Sequence, residues 1–245
     1  MTISPPCATL AGTRGPIVYV EDLSRPAVAD DDRHHLERVL RLRSGDAVML
    51  CDGRGSWRQA AFGPALSWTS DEQCDARAES QLSLSVALPK GDRGDWLIQK
   101  VTEIGIDRIV VMETDHSVVR WEKAKASRQL DRLSRITRSA SAQSRRAWLP
   151  QLSGPLGVDV AAEALGSCLA VPGGGPISRV YRNVMIGPEG GWSTAEAGRG
   201  LPTVGLGPQV LRVETAAVVA VTLLMAMRSG MVLPPASAAE NTFGG

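Results

Sequence analysis

Two short stretches in the C-terminal third carry residue types that hold a polar ligand through main chain. The first is Gly187-Pro188-Glu189-Gly190-Gly191, preceded by the apolar run Val184-Met185-Ile186 and followed by Trp192 and Ser193. Glycines let the backbone adopt positive φ and approach a ligand closely. Ser193 and Glu196 have the spacing of a capping box, so a helix should open there and offer its first N–H groups to the corner. The stretch is neither Gly-x-Gly-x-x-Gly nor a phosphate loop ending in Lys-Ser/Thr. That argues against a Rossmann dinucleotide site and against nucleoside triphosphate hydrolysis. The second stretch runs from Val204 to Ala217 and repeats the plan: a strand, the Gly205-Leu206-Gly207-Pro208 loop, then an apolar helix. Glu214 and Thr215 suit a helix start, so their types alone do not separate capping from chemistry. Arg212 is different, because the helix dipole disfavours a cation near the N-terminus. It is expected to face a phosphate, a carboxylate or a developing anion.

A third feature is cationic. Residues Lys123 to Ser144 read as one long helix, with Arg128, Arg132, Arg135 and Arg138 on one face and Leu130, Leu133, Ile136 or Thr137, and Ala140 opposite. Asp131 is the acid within that stretch, and Arg145 and Arg146 extend the charge beyond it. Lys90, Arg93 and Lys100 surround the preceding strand–helix turn. The net charge of +1 says nothing by itself, so this local footprint is what predicts RNA contact. The four cysteines (Cys7, Cys51, Cys74, Cys168) form no Cys-x-x-Cys pair, and His34, His35 and His116 have no ligand spacing, so neither a disulfide framework nor a metal is expected.

These residues need elements to position them. Residues 1–78 read as a small β-rich unit. It has strands at Ile17–Val20, Ala47–Cys51 and Trp57–Phe62, a helix at Arg33–Leu42, and a hairpin turn at Asp52-Gly53. Short strands around one helix suggest a compact barrel. The polar run Thr69–Gln81 marks a boundary. Beyond it, strands at Leu82–Leu88, Arg108–Met112, Ser167–Val171, Asn183–Ile186 and Val204–Leu206 alternate with helices at Asp95–Ile104, Lys123–Ser144, Asp159–Leu165 and after Arg212. That alternation predicts an α/β domain with a mainly parallel sheet over residues 79–233. A flexible tail is expected from 234 to 245. With 43% hydrophobic residues, no signal-peptide pattern and no apolar run long enough to span a bilayer, the chain reads as a soluble cytoplasmic protein.

Taken in order, four groups of residues resemble one family. They are Arg38-Val39-Leu40-Arg41 with Gly45 and Asp52-Gly53; Gln99-Lys100 with Glu103 and Gly105; Gln143-Ser144 with Arg146 and Pro150; and Ile186–Gly191 with Leu206-Gly207-Pro208 and Leu211-Arg212 through Glu214-Thr215-Ala216. The chain is similar, from about residue 14 to 233, to the 16S ribosomal RNA uracil-N3 methyltransferases of the SPOUT superfamily. The resemblance implies a trefoil-knotted α/β domain behind a PUA-like β-barrel that helps hold RNA, S-adenosyl-L-methionine as cofactor, and a homodimer. It implies that Ala170, Val171, Gly187, Pro188, Glu189, Gly190, Gly191, Leu206, Gly207 and Leu211 cradle the cofactor. Arg212 would stabilise the anion formed at the target base, and Glu189 or Glu214 would take its proton. Arg38, Arg41, Lys90, Lys100, Arg128, Arg132, Arg135, Arg138, Arg145 and Arg146 would meet the RNA, free or within the small subunit. Three neighbouring readings remain open: methylation of a ribose 2′-oxygen, of transfer RNA, or a non-catalytic RNA-binding assembly factor.

Overall fold

The computed structural model describes residues 9–232; the expected C-terminal tail lies outside the described residues. Two sheets divide the chain between Cys74 and Ser83. The first contains β1 (Ile17–Tyr19), β2 (Ala47–Cys51), β3 (Ser56–Ala61), β4 (Ser67–Trp68) and β5 (Gln73–Cys74). Its order is β1-β2-β3-β4, with β5 paired to the rest of β3. β2 and β3 form the expected antiparallel hairpin, with Cys51 opposite Trp57. The expected Arg33–Leu42 helix is shifted: α1 covers Asp30–His34 and continues as a wide π turn over His35–Val39. Asp30, Asp31 and Asp32 move the start forward, because acids are favoured at a helix N-terminus. Arg41 at φ 55° then reverses the chain.

The second sheet has six strands in the order β11-β9-β10-β6-β7-β8, and every pairing in it is parallel. Its strands are β6 (Ser83–Val86), β7 (Arg108–Glu113), β8 (Gln151–Gly157), β9 (Ser167–Gly175), β10 (Asn183–Ile186) and β11 (Thr203–Val204). The helices are α2 (Asp92–Ile104), α3 (Lys123–Gln143), α4 (Val158–Ala162), α5 (Thr194–Ala197) and α6 (Val213–Arg228). β8 escaped the sequence reading because Ser153-Gly154-Pro155 breaks any strand pattern; proline lacks a ladder donor and is tolerated at the sheet edge, where β8 lies. β9 runs past the expected Val171 through a Pro-Gly-Gly-Gly stretch. There a Cβ on Gly174 would fall 2.5 Å from the carbonyl carbon of Val204, so glycine is what allows β11 to pack so closely.

Helices cover both faces. On one, Leu84, Val86, Leu97, Ile98, Val101, Ile109, Leu133, Val184, Val221 and Leu224 share a core built from β6, β7, β10, α2, α3 and α6. On the other, Met112, Leu169 and Met185 pack against Val158 and Ala161 of α4. β6 and β10 are buried throughout, as central parallel strands must be. Their polar residues are paired: Ser85 donates to Asn183 Oδ1 at 2.9 Å, and Asn183 Nδ2 donates to Ala161 O at 3.0 Å. After the edge strand β11 the chain crosses back over the sheet, and α6 packs on α2, β10 and β6. No described helix is long and apolar enough to cross a membrane.

Candidate active site

The first corner leaves the central strand β10. Trp192 closes it from below: its indole N–H donates to Ala170 O at 3.0 Å, and a Cβ on Gly187 would sit 3.0 Å from the ring. Gly191 takes φ 71°, a turn that only glycine makes cheaply. The capping box forms as expected: Glu196 N–H donates to Ser193 Oγ at 3.2 Å, and Ser193 N–H to Glu196 Oε2 at 2.9 Å. Glu196 is 2% exposed, and its other oxygen accepts from Asp115 N–H at 2.9 Å. The loop after β7 thereby clamps the corner, and His116 Nδ1 adds a contact to Gly191 O at 3.1 Å.

The second corner lies beside the first. Together they enclose a cavity of about 390 Å³ with mostly apolar walls. Ala170, Val171, Gly187, Pro188, Glu189, Gly191, Leu206, Gly207 and Leu211 all line it, as do Pro172, Trp192, Gln209, Val210, Arg212, Val213 and Ala216. Gly190 does not: its Cα is turned to the β7 loop, where a Cβ would meet His116 Cβ at 3.1 Å. Trp192 was missed in the sequence although it directly follows the glycines, because a tryptophan there reads equally as core. The main-chain N–H groups of Leu206, Gly207 and Leu211 meet no acceptor among the described residues. A cavity edged by such donors is suited to a polar ligand rim. A larger cleft of about 590 Å³ opens between α2 and α3, lined by side chains such as Trp96, Gln99, Arg135 and Ser139, with no glycine corner.

Four charged side chains stand near the cavity. Arg212 is the N-cap residue of α6. Its carbonyl accepts from Ala216 N–H at 2.8 Å, while its exposed guanidinium has no ion-pair partner among the described residues. Glu214 lies on the same first turn, with a side chain 12% exposed. Its Oε2 is buried and without a hydrogen-bond partner among the described residues. Glu189, 38% exposed, points to Arg93 of α2 at 3.2 Å, and the same guanidinium reaches Glu214 Oε1 at 3.7 Å. The sequence had placed Arg93 with the basic patch; the link to both carboxylates appears only in three dimensions.

The cations divide. Arg38, Arg41, Lys90, Arg128 and Arg135 are exposed and have no ion pair among the described residues. Arg132 is held by Asp95, and Lys100 by Glu103 at 2.8 Å. Arg138 donates to Tyr19 O and pairs with Asp32 at 3.6 Å. Arg145 and Arg146, expected to meet RNA, are half-buried and donate to the protein's own oxygens. Arg145, at φ 57°, turns back to donate to Leu10 O, Gly15 O and Thr13 Oγ1. Arg146 donates to Thr102 O at 2.9 Å, and burial lowers its pKa, as expected for a guanidinium withdrawn from water. Among the described residues no group of three His, Cys, Asp or Glu could hold a metal.

Comparison with known proteins places this arrangement. An RNA methyltransferase domain model matches residues 76–225, and an RNA methyltransferase PUA domain model matches residues 28–62. The chain is 32% identical to the ribosomal RNA small subunit methyltransferase E of a Synechocystis strain, over 79% of this chain and 70% of that one. Its fold is similar to that of a probable rRNA-methyltransferase of Porphyromonas gingivalis, with TM-score 0.75, 30% identity, and coverage of 89% of this chain and 100% of the other. It is also similar to a Legionella pneumophila protein described as a methyltransferase and solved with the cofactor SAM bound, with TM-score 0.72, 26% identity, and coverage of 87% and 98%. The PUA match and the parallel sheet agree with the SPOUT-type fold expected from the sequence, and the chain belongs to the family of RNA methyltransferases that includes ribosomal RNA small subunit methyltransferase E.

Proposed function

We propose that the protein methylates N3 of a uridine in 16S ribosomal RNA of the small subunit, with S-adenosyl-L-methionine as methyl donor, and that it works as a homodimer. The observation that carries the reading is the cavity between the two glycine corners: apolar walls, with main-chain amides at its edge and an exposed Arg212 beside it that have no partner among the described residues. Ala170, Val171, Gly187, Leu206 and Leu211 line the cavity and would hold the donor; the Legionella relative was solved with SAM bound. When bound, the donor supplies an electrophilic methyl group; the chain supplies orientation and electrostatics.

N3 of uracil is a poor nucleophile while protonated. In this reading Glu214 accepts that proton through Oε2, the oxygen without a hydrogen-bond partner among the described residues. Oε2 is shielded in the free protein, and such geometries commonly tighten only in the substrate complex. Arg212 stabilises the negative charge then shared by uracil O2 and O4. The target base must leave its stack to reach the cavity, and holding it in line with the methyl group can lower the barrier by up to roughly 7–11 kcal/mol. Exposed Arg38, Arg41, Lys90, Arg128 and Arg135 meet the phosphates. Mass spectrometric mapping of ribosomal RNA from a strain lacking the gene tests the assignment. A single uridine of 16S RNA should lose its base methyl group and regain it on complementation. Loss of a ribose methyl group or of a transfer RNA methyl group instead would defeat it.

A further inference from the structure

The residue that joins the two carboxylates has no role in the scheme above. Arg93 lies in the first turn of α2, just after Gly91, whose φ of 68° turns the chain into the helix. Like Arg212, it is a cation where the helix dipole disfavours one. Its guanidinium donates to Glu189 Oε1 at 3.2 Å and lies 3.7 Å from Glu214 Oε1. Three segments distant in sequence thus converge on one side chain: the start of α2, the corner after β10, and the start of α6. Without that cation, two carboxylates would face each other, one of them largely removed from water. Among the described residues Glu214 has no other cationic partner. The pairing also explains the asymmetry of Glu214: one oxygen is engaged by charge and the other is left free.

We propose that Arg93 is a positioning residue of the methyl-transfer site, engaging Glu214 Oε1 and so directing its other oxygen toward the uracil proton, while Glu189 ties this arrangement to the cofactor corner. The proposal rests on the reading of Glu214 as proton acceptor. The planar fork of arginine can engage two carboxylates at once, whereas lysine offers a point charge that keeps the compensation but loses part of the orientation.

The test uses full-length protein and the variants Arg93→Gln, Arg93→Lys, Glu214→Gln and Arg93→Gln/Glu214→Gln. Methyl transfer to ribosomal RNA gives kcat and KM, calorimetry gives S-adenosylmethionine affinity, and thermal melting reports the fold. Arg93→Gln should lower kcat by on the order of tenfold to a hundredfold, with RNA KM and cofactor Kd each within about threefold of wild type. Arg93→Lys should recover most of the loss. The double variant should be no slower than Glu214→Gln alone, because residues acting as a unit are not additive. A raised RNA KM at unchanged kcat would make Arg93 a phosphate contact and overturn the proposal. So would lost cofactor affinity, an early melt that accounts for the defect, or multiplying effects in the double variant. Normal turnover by Glu214→Gln with a slow Arg93→Gln would overturn it too. A wild-type protein that transfers no methyl group to ribosomal RNA would instead remove the underlying functional reading.

Discussion

At the scale of single residues, placement against local preference marks the chemistry. Arg212 occupies the N-cap of a 16-residue helix without making a side-chain cap bond. A Ser, Thr, Asn or Asp there would gain about 1 kcal/mol of helix stability, so stability alone does not favour arginine. Its guanidinium stays exposed beside the cavity, where it can meet charge that develops on a substrate. Arg212→Ala should therefore lower kcat by about 10²–10³-fold, the usual loss for a donor that stabilises a developing oxyanion. Cofactor affinity and melting temperature should stay near wild type. Full activity of the variant, measured with saturating RNA and donor, would take Arg212 out of the mechanism.

Elements decide whether such residues can meet. β6 and β10 are buried along their whole length, so the turns at their C-terminal ends are fixed by the core. Ligands in parallel α/β sheets bind beyond those ends for this reason. The capping box of α5 and the Asp115-His116 loop then hold the first corner in one conformation. The long helix α3 shows the opposite economy. Leu133, Thr137 and Ala140 are buried, and the arginines fall on the other side. Packing consumes Arg138 and an ion pair consumes Arg132, leaving Arg128 and Arg135 as the arginines of α3 without an ion pair among the described residues. Replacing both by glutamate should weaken RNA binding across sequences. It should also reduce the slope of log K against log salt by roughly 2, one unit per lost phosphate contact. Unchanged binding and slope would show that this face is only solvated.

The whole molecule is held together across its two sheets. Leu10, Ile17, Tyr19, Met49, Cys51 and Trp57 of the small unit share a core with Ala147. Tyr19 OH donates to Arg146 O at 2.7 Å, and Trp148 Nε1 to Asp75 O at 2.9 Å. Cys51 lies in this shared core and Cys168 in the core of the large unit, on β9, each 0% exposed. Burial pushes both thiols up to about 12, so they stay protonated and unreactive at neutral pH. Of the three thiols in the described region, a thiol reagent at pH 8 should label the exposed Cys74 quickly and the other two only as the protein unfolds. Peptide mass spectrometry over time would read this. Early labelling of Cys51 with Cys168 still protected would mean that the two units separate before the large sheet opens.

How much of this was legible in sequence depends on the range of the interaction concerned. Helix and strand types, the capping box, and the two glycine corners are local: φ freedom, capping geometry and apolar periodicity are set by residues a few positions apart. Residues 187–191 and 204–217 therefore announced a binding corner without any structure. Polar breaks hid β8, because only its position at the sheet edge makes Pro155 acceptable. The engagement of Arg145 and Arg146 was likewise invisible, since their acceptors Leu10, Gly15 and Thr102 come from other segments. The same holds for Arg93, whose two carboxylates lie about a hundred residues away, Glu189 on the corner after β10 and Glu214 on the first turn of α6. Sequence determined which side chains carry charge and where the backbone can bend. Tertiary structure alone decided which charges neutralise each other, because Coulomb interaction and burial depend on distance in space and not on separation along the chain.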